Sequence, residues 1–575
     1  MLGHLVVCGD APGGAPAAYL LSLRGAMAVR SAPILAKERA QEHGEVFTRR
    51  WVVELILDLV GYTPNRDLVG MRAIEPACGS GAFLVPMIER LLDSARLHGR
   101  EPVEAKGAIS AIDLIPENMA LSQSAARESL LSAGLSASLA EELAEAWVRT
   151  GDFLLEPPAE GSADVVVGNP PYVRLEAVPR VRSEAYRLAC KTMGGRADVY
   201  IGFYEHGLRA LRDGGALGFI CADRWMRNAY GARLRGMVSE KWSVDTVISM
   251  TGVDAFEDEV DAYPAITILR RGPQEKGPLV VEAKPGFGAS EASELIHLVS
   301  GADTDHVDYA GFRGARLASW FSGSAGWPNG SPNRLAVIAD LETRYPALED
   351  PATGTKVGIG VATGADRVFI TEDPVLVEPE RLLPLALPRD IASGTVQWSG
   401  KYLVNPWEAN GLVELEKWPR LSAYLADHRE LLAKRHTAKN GKWHKTIDRV
   451  TEGLVDREKL YLPDFKETIF PVLDSGSTYP HHNLYWVTSM EWDLRVLGGL
   501  LLSDVASLFI EAYSVRMRGG FLRFQAQYLR RIRVPRHDSI DAGTQAALAE
   551  AFDARDRARA TELALPLYGL TELPG

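Results

Sequence analysis

The stretch Asp164-Val-Val-Val-Gly168-Asn169-Pro170-Pro171-Tyr172 holds residue types that could do chemistry. A run of β-branched residues ends at Gly168, and the next four residues present an amide, two rigid prolines and an aromatic ring. Such a strand delivers a polar clamp to the edge of a sheet. The chemistry that needs this clamp is transfer of a methyl group to an exocyclic or amide nitrogen. The lone pair of an aromatic amine is delocalised into its ring, so a site must draw it out of conjugation. The side-chain oxygen of Asn169 and the carbonyl of Pro170 can both accept from one NH2 group, which favours a tetrahedral nitrogen and builds negative potential where positive charge develops. No separate base of matched pKa is then required. Proline fixes φ and lacks an N–H, leaving carbonyls to face the substrate. Tyr172 adds a flat surface for a base, worth about 1–3 kcal/mol in nucleic-acid sites. The same four residues could also simply end a strand, so the elements around them decide.

Upstream, Gly44-Glu-Val-Phe-Thr48 precedes a segment from Arg50 to Val60 whose apolar residues fill most of one helical face. Met71 to Ile74 reads as a buried strand running into Glu75-Pro-Ala77-Cys-Gly79-Ser-Gly81, and a helix follows from Ala82 to about Leu97. Strand, glycine-rich turn and helix make the first βα unit of a doubly wound sheet, where backbone N–H groups approach a ligand closely. The spacing differs from G-x-G-x-x-G, which disfavours NAD. The next strand, Ala108 to Ile112, ends at Asp113, where a ribose could be held by its two hydroxyls, although an ordinary strand-end carboxylate reads the same. After an Ala- and Glu-rich helical stretch, Asp152-Phe153 supplies a third acidic strand end beside an aromatic: Asp152 could accept from an adenine amino group while Phe153 stacks on the ring. The strand before Asn169 is the fourth.

Composition bounds the answer loosely. The 575 residues suffice for two or three domains, and 46% hydrophobic with 24% charged residues is ordinary for a globular protein. Cys8, Cys78, Cys190 and Cys221 lack disulfide or metal-ligand spacing, which suggests a reducing, cytoplasmic setting and small buried side chains. No basic n-region precedes the apolar pieces of the first 30 residues, which argues against a signal peptide, and Met27 offers an alternative start. No apolar run reaches transmembrane length, so no membrane partner is expected. A net charge of −12 means that a nucleic-acid partner would need a local basic strip. One exists: between Glu511 and His537 seven arginines (Arg516, Arg518, Arg523, Arg530, Arg531, Arg533, Arg536) stand against one acid, interleaved with Phe521, Phe524 and Tyr528. Such a strip fits contact with a nucleic-acid backbone and an occasional base edge. His481-His482 and Trp443-His444 lack supporting ligands, so no metal is expected.

Thr48, Glu75 to Gly81, Asp113, Asp152-Phe153 and Asn169-Pro-Pro-Tyr172 fall in the order seen in γ-class amino-methyltransferases acting on DNA. Asn-Pro-Pro-Tyr resembles the adenine-N6 type, and the chain is most similar to the TaqI-like enzymes with a C-terminal specificity domain. The resemblance implies a class I S-adenosylmethionine-dependent methyltransferase fold, a Rossmann-like doubly wound sheet, followed by a mixed α+β recognition domain. By similarity, Thr48, Glu75, Ala77 and the Gly79 to Gly81 loop surround the methionine part of S-adenosylmethionine. Asp113 takes the ribose, Asp152 and Phe153 the cofactor adenine, and Asn169, Pro170, Pro171 and Tyr172 the target adenine. The family usually continues the Thr48 motif with proline; Arg49-Arg50 here puts the loop shape in question and offers a phosphate contact.

Tyr200 to Leu211 is helical in pattern, Ala216 to Cys221 reads as a fifth strand, and Val244 to Met250 and Ala265 to Leu269 as the last two, with Phe256 and Tyr263 between them on the side where DNA should approach. Ala222 to Tyr230 resembles the family segment that supplies a second aromatic against a flipped base, nominating Tyr230, with Trp225 as the alternative. From Arg270 the pattern loosens into Gly, Pro and Ser. Lys356 to Gly364, Arg367 to Ile370, Arg389 to Ile391, Tyr402 to Asn405 and Phe521 to Tyr528 resemble pieces of the specificity domain. The expected organisation is an extension over 1–30, a catalytic domain over 31–300, a target-recognition domain over 301–540 and a helical tail over 541–575. The expected function is site-specific adenine-N6 methylation of double-stranded DNA in restriction-modification or phage defence, with a cognate restriction endonuclease or defence subunits as further partners. The alternatives are a non-catalytic DNA-binding subunit of a defence complex, which an intact Asn169-Pro-Pro-Tyr172 and glycine loop argue against, and a methyltransferase acting on an RNA or a protein amide nitrogen.

Overall fold

Alternating apolar strands and one-sided helices build the first half of the protein, in a computed structural model that describes residues 47–257, 263–300, 306–317, 320–321, 323–514 and 522–574. Met27 and Cys8 lie outside the described residues, as do Arg516, Arg518 and Phe521. In chain order the elements are α1 (Arg50–Val60), β1 (Ala73–Glu75), α2 (Leu84–His98), β2 (Ile109–Asp113), α3 (Pro116–Ser132), α4 (Ala137–Trp147), β3 (Val148–Thr150) and β4 (Ala163–Gly168). Then come α5 (Arg180–Ala189), α6 (Tyr200–Ala210), β5 (Leu211–Ala222), α7 (Arg224–Arg227), α8 (Ala232–Lys241), β6 (Trp242–Ser249), β7 (Pro264–Arg271), β8 (Leu279–Ala283), α9 (Ala289–Ser300), β9 (His306–Asp308) and β10 (Phe312–Arg316).

The strands form one ten-stranded sheet in the order β3-β2-β1-β4-β5-β7-β6-β8-β10-β9. β3, β2, β1, β4 and β5 run parallel, and β7 enters antiparallel between β5 and β6. The chain first winds outward from β1 through β2 to β3, then returns to lay β4 on the other side of β1. That reversal sets the carboxyl ends of β1 and β4 side by side, the place where doubly wound sheets hold ligands. In register, Ala73 and Ile74 face Val165 and Val166, so Glu75 and Asn169 leave adjacent strands at nearly one level. α1 buries Val52, Val53, Ile56 and Val60 and stops at Gly61, whose φ of 77° lets its N–H reach back to Asp58 and Leu57. It lies hard against β5: a Cβ at Gly218 would sit 2.6 Å from Val60 Cγ1 and 2.8 Å from Ile56 Cγ2. The sheet is the doubly wound arrangement that the sequence leads one to expect, with a longer edge.

That edge corrects the expectation that β6 and β7 close the sheet. β8 pairs parallel with β6, β10 antiparallel with β8, and β9 with β10. The division between the two compact units therefore falls between Pro332 and Asn333 and not at 300.

The second unit holds two four-stranded sheets and a helical layer. Lys356–Ile359, Leu484–Thr488, Lys459–Pro463 and Val472–Asp474 form one sheet; Ile370–Thr371, Tyr402–Val404, Leu382–Ala386 and Tyr479–Pro480 form the other. The residues expected as a separate tail are part of this unit's core. Leu548, Phe552, Ala564 and Tyr568 share a buried cluster with Leu497, Leu500, Val505 and Phe509. Gly498 and Gly499 allow the approach: a Cβ there would meet Phe552 Cε2 and the Leu548 carbonyl oxygen at 2.5 Å each. Among the described residues no single helix is long and apolar enough to cross a membrane, and the bent apolar pair Leu494–Leu502 and Asp504–Tyr513 is buried in this core.

Candidate active site

A cavity of about 260 Å³ opens at the carboxyl ends of β1, β2, β3 and β4. Its lining includes Thr48, Glu75, Ala77, Gly79, Asp113, Asp152, Phe153, Asn169 and Pro171. Of the residues assigned to a cofactor, only Gly81 is absent from this lining. Gly81 adopts φ 99° and faces α3, with Ser122 Oγ and Ala125 Cβ each 3.6 Å from where its Cβ would be. Gly79, at φ 53°, has nothing within 4 Å of that position, so the loop presents bare backbone to open space.

Acidic groups at successive strand ends differ in what they hold. Asp113 accepts from the N–H of Gly79 at 2.9 Å, the N–H of Ile115 at 2.8 Å and the Asn118 amide at 3.3 Å, which ties β2 to the glycine loop and fixes the carboxylate. Glu75 is fully buried, and its Oε2 has no hydrogen-bond partner among the described residues. Burial, with the Asp113 charge beside it, holds the Glu75 carboxyl well above the usual carboxylate range. Asp152 accepts from the Tyr186 hydroxyl at 2.8 Å and from the Leu154 N–H at 3.1 Å. Burial raises the Asp152 carboxyl, and those two donors oppose the rise. Phe153 stacks on Phe203 with ring centres 5.3 Å apart. The donor-poor Glu75 oxygen suits a cation, the Asp113 carboxylate a pair of hydroxyls, and the Asp152–Phe153 corner a flat ring with an amino group. These chemistries fit the three parts of S-adenosylmethionine.

The polar clamp stands at the other side of the cavity. Asn169 donates through Nδ2 to Thr48 Oγ1 at 3.1 Å, which puts the amide oxygen on the opposite edge of the group. Thr48 is held by a bridge to Phe256, with Arg49 N–H bonded to the Ala255 carbonyl at 3.0 Å and Glu257 N–H to the Phe47 carbonyl at 2.9 Å. Arg49 meets Asp254 at 2.8 Å and Arg50 meets Glu54 and Glu89, all partly exposed. Pro170 and Tyr172 stand off the cavity. Tyr172 is half-buried, edge-on to Tyr200 at 6.5 Å and to Phe256 at 6.4 Å. Tyr230 joins this aromatic group through its hydroxyl, 2.7 Å from that of Tyr200. Trp225 does not: it is fully buried against Tyr204 and Trp327.

In the second unit several of the described arginines of the strip stay partly exposed while facing carboxylates. Arg523 meets Asp464 at 3.3 Å, Arg530 meets Glu349 at 3.0 Å and Arg531 meets Glu342 at 3.8 Å. Arg533 joins Ala347 through its backbone only, and Arg536 pairs with Asp538 at 3.2 Å. The seven-to-one count along the chain missed acids that the fold brings in from elsewhere.

Sequence reasoning also missed Tyr186, Arg182 and Pro179, which α5 and its approach place in the cavity wall. Tyr186 is the only buried residue of α5, and the apolar side chains of Val181 and Leu188 are exposed. Ile115 and Phe203 line the cavity too; the one available signal was the position of Ile115, two residues beyond a strand-end aspartate.

A family model described as the Eco57I restriction-modification methylase matches residues 120–256. The type II methyltransferase M.PaeR7I of Pseudomonas aeruginosa is 45% identical over 545 residues, covering 93% of this chain and 94% of that one. The type II methyltransferase M.XhoI of Xanthomonas vasicola is 43% identical, covering 92% and 98%, and M.BstVI of Geobacillus stearothermophilus is 36% identical, covering 87% and 91%. Among solved structures, the type IIL restriction-modification enzyme MmeI in complex with DNA matches 88% of this chain and 68% of that one at 11% identity, with a TM-score of 0.48. Identity of this order over nearly the full length of three such relatives shows that the chain belongs to the type II methyltransferases of restriction-modification.

Proposed function

We propose that the protein is a site-specific DNA adenine-N6 methyltransferase that takes its methyl group from S-adenosylmethionine and acts on an adenine turned out of the duplex. The observation that carries this reading is the standing of Asn169-Pro-Pro-Tyr172 at the end of β4, one strand from the Glu75 and Asp113 cavity. When bound, S-adenosylmethionine supplies a methyl group already activated on a sulfonium. Glu75 would meet its ammonium, Asp113 its ribose hydroxyls, and Asp152 with Phe153 its adenine.

The chain's remaining work is to prepare the nucleophile. The Asn169 amide oxygen and the Pro170 carbonyl accept the two N–H bonds of the target amine, pulling its lone pair out of the ring and stabilising the positive charge that develops. Thr48, by accepting from Nδ2, keeps the amide turned the right way. Tyr172 and Tyr230 offer ring faces to the displaced base, offsetting the few kcal/mol that extrusion costs. Positioning and preorganised dipoles then supply most of the acceleration. Double-stranded DNA is the working partner, with a cognate restriction endonuclease or defence subunit acting at the same site. The Asn169→Ala variant is the matched control in the test: both forms are expressed in a methylation-free host, whose DNA is then read by long-read sequencing. N6-methyladenine at one recurring short motif, absent with the variant, is expected; modified cytosine, or no modified base, overturns the reading.

A further inference from the structure

Tyr230 raises a question that stacking does not answer, since a phenylalanine would stack as well. Its hydroxyl donates to Asp198 Oδ2 at 2.8 Å and lies 2.7 Å from the Tyr200 hydroxyl. Asp198 is 8% exposed and sits just before α6. Burying a carboxylate there costs several kcal/mol unless strong donors meet it, and a hydroxyl-to-carboxylate bond is of the strong kind. Burial and the Asp198 charge push the Tyr230 hydroxyl far above its ordinary range, so it remains a donor at any working pH.

The backbone of the same residue grips the other side of the site. Asp198 forms an antiparallel bridge with Arg174, flanked by Val199 N–H to the Val173 carbonyl at 2.8 Å and Leu175 N–H to the Ala197 carbonyl at 3.0 Å. Val173 directly follows Tyr172. Asp198 therefore holds Tyr230 by its side chain while the residues on either side of it hold the strand leaving Tyr172 by their main chain, and Tyr200, two residues on, touches both rings' surroundings.

We propose that Asp198 is a positioning residue for the target base: it sets the spacing between the Tyr172 and Tyr230 rings by tying both to one point of the fold. The inference rests on the adenine-methylation reading above and adds a residue to it. Loss of the carboxylate frees the Tyr230 ring without touching the Asn169 clamp or the cavity lined by Glu75 and Asp113.

The test uses the full chain and a duplex carrying the methylation site found by sequencing, with 2-aminopurine in place of the target adenine for the fluorescence arm. Stacking quenches this probe. Tyr230→Phe, Asp198→Ala, Asp198→Asn and the double variant Asp198→Ala/Tyr230→Phe are compared for kcat, KM, probe emission and S-adenosylmethionine affinity by calorimetry. Tyr230→Phe and Asp198→Ala are each expected to lower kcat about tenfold, the scale of one hydrogen bond to a charged group. Both raise probe emission and leave cofactor affinity within about twofold. The double variant is no worse than the poorer single, because both remove the same bond. Asp198→Asn, which still accepts from the hydroxyl, recovers most of kcat. Losses that multiply in the double variant, or a Tyr230→Phe protein with wild-type kcat and emission, overturn the inference; the second outcome decides it even if Asp198→Ala does not fold. Wild-type protein that methylates no adenine overturns the reading of the whole site, and an active wild type with multiplying variants overturns the role of Asp198 alone.

Discussion

The end of β4 and the arginine-rich stretch after Glu511 are both conspicuous in the sequence, yet only the first keeps in three dimensions the surroundings its neighbours in the chain suggest. Asn169 emerges where the winding of the sheet reverses, so Glu75 and Asp113 must stand beside it whatever the loops do. Arg523, Arg530 and Arg531 instead meet Asp464, Glu349 and Glu342, none of which lies within the stretch. A motif at a strand end inherits its neighbours from topology; a charge count inherits nothing, because Coulomb partners are set by packing.

The largest effect expected on this contrast is at the clamp. Asn169→Ala should lower kcat by about 10²–10³, the range for loss of one preorganised group at a developing charge. S-adenosylmethionine affinity should stay nearly unchanged, since Glu75, Asp113 and Asp152, to which the proposed reading assigns the cofactor, are left in place. Turnover above about a tenth of wild type would show that the strand-end position alone does not make the clamp catalytic.

Next comes Glu75. Its carboxyl is raised above the ordinary value of 4.5, so the folded protein keeps a proton that the unfolded chain gives up. The stability tied to that proton is fully present below about 4.5 and is lost as pH rises through the higher folded value. Urea midpoints of the ligand-free protein should accordingly decline over that window. Glu75→Gln should flatten the decline while weakening S-adenosylmethionine about ten- to a hundredfold, as expected of one bond to a charged group. A pH dependence identical to wild type would mean that the carboxyl is solvated after all.

The smallest effect is expected in the second unit. Free phosphate contacts would each contribute about 0.9 to the slope of log K against log salt. With Arg530 and Arg531 already facing carboxylates, neutralising Arg530, Arg531 and Arg533 together should change that slope by less than about one unit. A salt titration of DNA affinity measures it, and a change near three units would show that these pairs open on DNA and restore the strip to the binding surface.

Legibility in the sequence follows the same division. β1, β2, β4 and β5 read clearly because buried runs stop at Glu, Asp or Gly, and the cavity residues sit at those stops. The edge strands β8 to β10 were hidden because they are three to five residues long and interrupted by Arg313 and Gly314. In α5 the apolar residues Val181 and Leu188 are exposed and Tyr186 alone is buried, so its pattern did not point to the cavity. The stretch 541–575, expected as a helical tail, instead packs into the second unit's core, because Gly498 and Gly499 leave room for Phe552 and Leu548.

The Thr48 hydroxyl that receives the Asn169 amide lies 121 residues away in the chain, and the bridge to Phe256 reaches further still. Contacts of such sequence separation are slow to form, because loop-closure entropy must be overcome before they give anything back. The Asn169–Thr48 pairing, with the bridge that seats it, is therefore a late event on the ribosome. A nascent chain can complete β1 to β5 and still lack the 255–257 segment that seats Thr48. Local opening of that segment in the finished protein would likewise silence the chemistry while most of the sheet stays closed.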